Sequence, residues 1–79
     1  MVSNKVKMLL QYRGMLQKDL SSIWKVSSKQ AITNKMKNGR FYFSDIIKLC
    51  NHLEYDIVIK DRNTGNEIMS FDISDIKSE

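Results

Sequence analysis

Residues 17–39 read QKDLSSIWKVSSKQAITNKMKNG, and they divide into two short helices about a tight turn. In the first, from Gln17 to about Trp24, Leu20, Ile23 and Trp24 recur at helical spacing and form one apolar face. Leu16 stands where an N-capping Ser or Thr belongs, so this helix has a chemically weak start. Lys25-Val26 form the turn. Ser27 or Ser28 then caps a helix that runs to about Lys37, with Ala31, Ile32 and Met36 facing inward, and Asn38-Gly39 ends it.

Upstream, Ser3 or Asn4 is positioned to cap a first helix on which Val6, Leu9, Leu10 and Arg13 share a face, and Gly14 is its natural stop. Downstream, Arg40-Phe41-Tyr42-Phe43 is a short aromatic linker. Ser44 caps a fourth helix, with Asp45 near its positive end and Ile46, Ile47, Leu49, Cys50 and Leu53 as its buried stripe. After Leu53 the period changes to alternation: Tyr55, Ile57 and Ile59 lie on one face, Asp56, Val58 and Lys60 on the other. Asp61 to Asn66 is a turn, and Ile68, Met69, Phe71 and Ile73 mark a returning strand. The expected fold is therefore mainly α, four helices followed by a C-terminal β-hairpin. Its divisions are a helical body over 1–53, the hairpin over 54–73 and a polar, frayed tail over 74–79.

The 79 residues make one small domain. One cysteine, Cys50, allows no intramolecular disulfide and suits a reducing cytosol. One histidine, His52, leaves no Cys/His set for zinc. Cys50 reads as a small core residue and His52 as a surface or helix-end residue. No apolar run approaches a membrane span, and the N-terminus lacks the continuous apolar stretch of a signal peptide. A cytoplasmic protein without membrane contact is expected. No paired acid/base set and no phosphate-cradling glycine loop is visible, so neither an enzyme nor a cofactor is expected.

The net charge of +4 hides a division. Residues 1–49 hold ten Lys/Arg against two Asp/Glu, a net +8, and residues 50–79 hold three against seven, a net −4. A basic body suits a polyanion, and an acidic C-terminal half would lie away from it. With the helix pair this points to double-stranded DNA, one helix bracing across the backbone while the other presents its N-terminal residues to the major groove. Ser28, Lys29, Gln30, Thr33 and Asn34 are the candidate base readers. Gln30 and Asn34 have the bidentate geometry that adenine needs, and Lys29 donates as guanine needs. Gln17 and Lys18 at the start of the preceding helix, with Lys37, Asn38, Arg40 and Tyr42 beyond the reading helix, are the candidate phosphate contacts. Trp24 reads as a core anchor, and Phe41 and Phe43 as packing residues.

These residues resemble a family. Residues 1–53 are similar to the Cro/phage-repressor type of helix-turn-helix domain in Gln17 with Leu20, in Trp24 and Val26 around the turn, in Ser27-Ser28 at the cap, in Ile32, and in Asn38-Gly39. The phrases YRGMLQKDL, SKQAITNKMK and FSDIIKLCNHLEYDI extend the likeness over about residues 5–70, to small single-domain regulators of low-GC Gram-positive bacteria and their mobile elements. The resemblance implies a bacterial, phage or mobile-element transcriptional regulator, a repressor in its simplest form, with no cofactor and no catalysis. The chain departs from the pattern in three places. Lys25 stands where the family usually has glycine, Ser21 stands where it usually has alanine, and Val26 to Gly39 is two residues longer than the commonest form. The last leaves the register of the reading helix open by one position.

A lone hairpin is marginal in water, and its free edge invites strand addition. Tyr55, Ile57, Ile59, Met69, Phe71 and Ile73 are therefore the candidate contacts of a homodimer, which would set two reading helices about 34 Å apart on an inverted repeat. The other class of function that the chain allows is a protein-interaction module on the same scaffold, an antitoxin or phage-defence adaptor. Asp56, Asp61, Glu67, Asp72 and Asp75 would then form a docking face for a protein partner.

Overall fold

The computed structural model describes residues 1–76. Four helices come first: α1 (Val2–Tyr12), α2 (Leu20–Ile23, led in by a 3-10 turn Gln17–Asp19), α3 (Lys29–Asn38) and α4 (Phe43–His52). An antiparallel hairpin of β1 (Ile57–Lys60) and β2 (Glu67–Phe71) follows, and a 3-10 turn, Ile73–Asp75, comes after it. The mainly helical body with a C-terminal two-stranded sheet is thus the architecture that the periodicities predict.

The apolar faces converge on one core. Val6 and Leu10 come from α1, Leu20 and Ile23 from α2 with Trp24 behind them, Ile32 and Met36 from α3, and Leu49 from α4 with Leu53 at its end. Leu20 and Leu49 are completely buried, and each such leucine is worth roughly 1.5–3 kcal/mol relative to exposure. Leu9, Met15, Val26, Phe41, Ile46 and Tyr55 pack around this cluster.

Three chain reversals share one geometry. Gly14, Lys25 and Glu54 each follow a helix at positive φ (67°, 54° and 62°). After each, the next amide reaches back five residues: Met15 N–H to Leu10 O, Val26 N–H to Ser21 O, Tyr55 N–H to Cys50 O. This is the Schellman motif, which glycine enters without steric cost. Only the first site has glycine. At Lys25 and Glu54 a Cβ is held in the left-handed region at a cost of roughly 1–2 kcal/mol.

Asp45 ties three helices together. Its carboxylate accepts the Tyr42 N–H at 2.9 Å, capping α4, and pairs with Lys35 Nζ of α3 at 2.6 Å. Its carbonyl accepts the indole N–H of the buried Trp24 at 2.9 Å. Ser44 is therefore not the cap. The helix begins two residues earlier, with Tyr42 at the cap position, and the third residue of its first turn supplies the acceptor.

Other expectations change with it. Ser3 does not cap α1, which begins at Val2; it is buried, and its hydroxyl donates to Met36 O at 2.6 Å, joining α1 to the end of α3. The helix expected over 17–24 is split into a 3-10 turn and a single α turn. Its uncapped start is offset by Asp19, whose carboxylate accepts the Leu16 N–H at 2.8 Å. Arg13 crosses to the C-terminal end of α4, where Nε donates to Leu53 O at 2.9 Å and the guanidinium lies 4.3 Å from the Tyr55 ring centre.

Tyr55 accordingly belongs to the edge of the helical core and not to a strand. Alternation fails past Ile59, where a bulge leaves Lys60 opposite Glu67. β2 ends at Phe71, and Ile73 lies in the 3-10 turn. That turn is capped by Asp72, which accepts from the Ser74 N–H and hydroxyl, while Asp75 accepts the Asp72 N–H. Residues 74–76 are thus ordered by their own polar side chains, and the rest of the expected frayed tail lies outside the described residues.

Two measurements follow from these contacts. Glu54→Gly relieves the left-handed strain, so urea unfolding should show a gain of about 1 kcal/mol. Asp45→Ala strands Lys35 and uncaps α4, so the same experiment should show a loss of about 2 kcal/mol. An unchanged Asp45→Ala midpoint would remove Asp45 from its place at the centre of the fold.

Candidate nucleic-acid interface

Two turns of α3 separate its buried and exposed faces. Ile32 and Met36 point into the core, and Ser28, Lys29, Gln30, Thr33, Asn34 and Lys37 are exposed. Ser28 is the cap, its hydroxyl accepting the Gln30 N–H at 3.1 Å, which fixes where the helix begins. Gln30 Nε2 donates to Asn34 Oδ1 at 3.1 Å, so the two amides are already oriented along the outer face. Gly39, at φ 66°, stops the helix, and its N–H donates to Lys35 O.

A groove of about 590 Å³ runs between this helix and the segment before it. Gln17 and Lys18 form one wall with Ser21 and Ser22, and Ser27, Lys29 and Thr33 form the other. The groove thus joins candidate phosphate contacts from one element to candidate base readers from the next. Lys37, Asn38 and Arg40 are exposed beyond it, at the far end of α3. Tyr42 is 74% exposed and stands beside Lys35, whose Nζ is 5.0 Å from its ring centre.

The two acids of the basic half are both engaged internally, Asp19 at Leu16 and Asp45 at Lys35. Lys35 is the one lysine of α3 spent on the fold, with its ammonium also 5.7 Å from the Trp24 ring centre. Sequence alone does not single it out, because its partner lies ten residues away across a chain reversal. The remaining cations of α3, Lys29 and Lys37, are exposed.

The hairpin residues divide. Ile57 and Phe71 are half-buried at its base, where Phe71 meets Phe43 edge-on at 4.9 Å between centres. Ile59, Met69 and Ile73 are 44–56% exposed, and Tyr55 is taken up by Arg13 and the core. Of the candidate dimer contacts, Ile59 and Met69 are paired across the strands and open to solvent.

Cys50 is buried, and loss of solvent pushes its thiol above the ordinary range. His52 is exposed in the last turn of α4. No helix of the described residues is long and apolar enough to cross a membrane. Comparison with protein-family models, with curated proteins and with solved structures finds no match to this chain.

The Cys50 thiol should react with a disulfide reagent many-fold more slowly in the folded protein than in denaturant, because it is both shielded and held protonated. Equal rates in the two states would place it at the surface.

Proposed function

We propose that this chain is a sequence-selective double-stranded DNA-binding regulator, in its simplest form a repressor, that reads the major groove with α3. The observation that carries this reading is the outward face of α3. Hydrogen-bonding and cationic side chains cover its exposed side from the cap onward, while its apolar side anchors the helix rigidly in the core. The lead-in to α2 supplies Gln17 and Lys18 along the same groove, as a bracing element across the duplex backbone requires. The resemblance of residues 17–39 to helix-turn-helix regulators supports the same reading, as does the net +8 of residues 1–49.

In this account Lys29, Gln30 and Asn34 read bases, with Ser28 and Thr33 beside them, and Lys18, Lys37 and Arg40 bind phosphate. Affinity comes largely from the phosphate contacts and falls steeply with salt. Two copies joined through the exposed Ile59 and Met69 of their hairpins would match an inverted repeat, and the acidic half would stay clear of the duplex.

A second reading has its own support. The same exposed apolar hairpin and the acidic residues around it suit a protein partner, which would make the chain an interaction module of the antitoxin or adaptor kind. The two readings separate in one titration of the purified protein against the DNA upstream of its own coding sequence and against a scrambled duplex, at two salt concentrations. Selective, salt-sensitive binding is expected. In that case Lys29→Ala, Gln30→Ala and Asn34→Ala should each lower discrimination by about 1–3 kcal/mol. Weak binding equal on both duplexes would leave the interaction module as the better account.

A further inference from the structure

A second groove, of about 290 Å³, lies between the turn after α2 and the C-terminal half of α4, and Ser22, Lys25, Lys48, Asn51, His52 and Ile73 are among its lining residues. Two of these are lysines, a third is a histidine and a fourth an amide; no carboxylate of the described residues lines the groove, although the turn that contributes Ile73 is bounded by Asp72 and Asp75. Among the described residues the one ion pair is Lys35–Asp45, so Lys25 and Lys48 lie beyond salt-bridge reach of any described acid.

Lys25 is also the residue held at φ 54°, in a turn where glycine is the unstrained choice. A cationic side chain is therefore kept at a position where stability alone favours removing it. Glu54 shares this conformation, so what the strain supplies here is a substitution, Lys25→Gly, that removes the charge without backbone cost.

Ser22 lines this groove and also the groove between α2 and α3. The two grooves thus meet at α2, Lys18 and Lys29 lining the first and Lys25 and Lys48 the second. In a helix-turn-helix the first helix of the pair crosses the duplex backbone, so a basic groove beside α2 is placed toward phosphates that flank the segment α3 faces.

We propose that the Lys25–Lys48 groove is a second phosphate-contacting site, which takes the backbone of the duplex flanking the segment read by α3, with Asn51 and His52 as hydrogen-bonding neighbours. This rests on the DNA-binding reading above and extends it. The duplex bound by one copy is longer than the base-reading contacts require, and part of the affinity comes from sequence-independent contacts on the far side of α2.

Lys25→Gly makes a discriminating test, because it removes the charge while relieving the backbone. Lys25→Gly and the double variant with Lys48→Gln are compared with the unaltered protein on a short selected duplex and on one extended at both ends, across a salt series. Lys25→Gly is expected to unfold at equal or higher urea and yet to bind the extended duplex more weakly. The double variant should lose roughly tenfold or more at about 100 mM salt, with the log–log salt slope reduced by about 0.9 for each contact removed. Its base preference should be unchanged, and the advantage of the extended duplex over the short one should disappear.

If both variants keep the full slope and the full length dependence while Asn34→Ala loses selectivity, the second groove is not a DNA contact and the reading by α3 stands. If Lys25→Gly is less stable than the parent, the lysine serves the helix end and the strain argument fails. If the unaltered protein binds neither duplex, the DNA-binding reading falls and this proposal falls with it.

Discussion

The buried carboxylate of Asp45 is the contact on which the arrangement of the helices depends. It stops the chain after Tyr42, sets α4 going, and holds Lys35 of α3 at 2.6 Å, while the carbonyl of the same residue holds the indole of Trp24. Without it the contact of Ser3 with Met36 O would be the one directional side-chain tie of α3 to the other described helices, beside apolar packing that is non-directional. Ser3 adds a second fixed point one residue further along α3, through Met36 O. Directional contacts hold a helix in rotation as well as in place. These two polar contacts, at the adjacent residues Lys35 and Met36, restrain the C-terminal half of α3.

Charge is partitioned to match. Of the two carboxylates among the first 49 residues, Asp45 is paired with Lys35, while Asp19 accepts the Leu16 N–H and keeps its charge beside Lys18 in the groove. The hairpin carries the opposite sign and is attached to α4 through Phe43 and Phe71. The chain thus separates a basic helical surface from an acidic, partly apolar arm. This division suits a protein that holds a polyanion at one end and a second polypeptide at the other.

Much of this was legible in the sequence, and what was not has physical reasons. Helical spacing located Leu20, Ile32, Met36, Leu49 and Leu53 in the core, because burial follows periodicity directly. The exposed positions Ser28, Lys29, Gln30, Thr33, Asn34 and Lys37 follow from the same period. Ser3, Ser44 and Asp45 were assigned by local capping rules, and the first two went astray because distance in space decided them: Ser3 found Met36 O, and Asp45 supplied the acceptor that Ser44 was expected to give. Lys25 and Glu54 in left-handed turns carry no glycine signal, so the reversals at those points came from the geometry of the helix ends. Ile73 fitted the strand pattern, but the Asp72 and Asp75 side chains captured the backbone around it and ended the strand at Phe71.

The measurement that bears most directly on the central claim is a two-dimensional amide NMR titration of the labelled protein with a duplex obtained by selection from a random library. The account predicts that the largest shifts fall on Ser28 to Lys37 and on Gln17 and Lys18, with the strands Ile57–Lys60 and Glu67–Phe71 little changed once any dimer has formed. Shifts confined to the hairpin, or a selection that enriches no sequence, would contradict it.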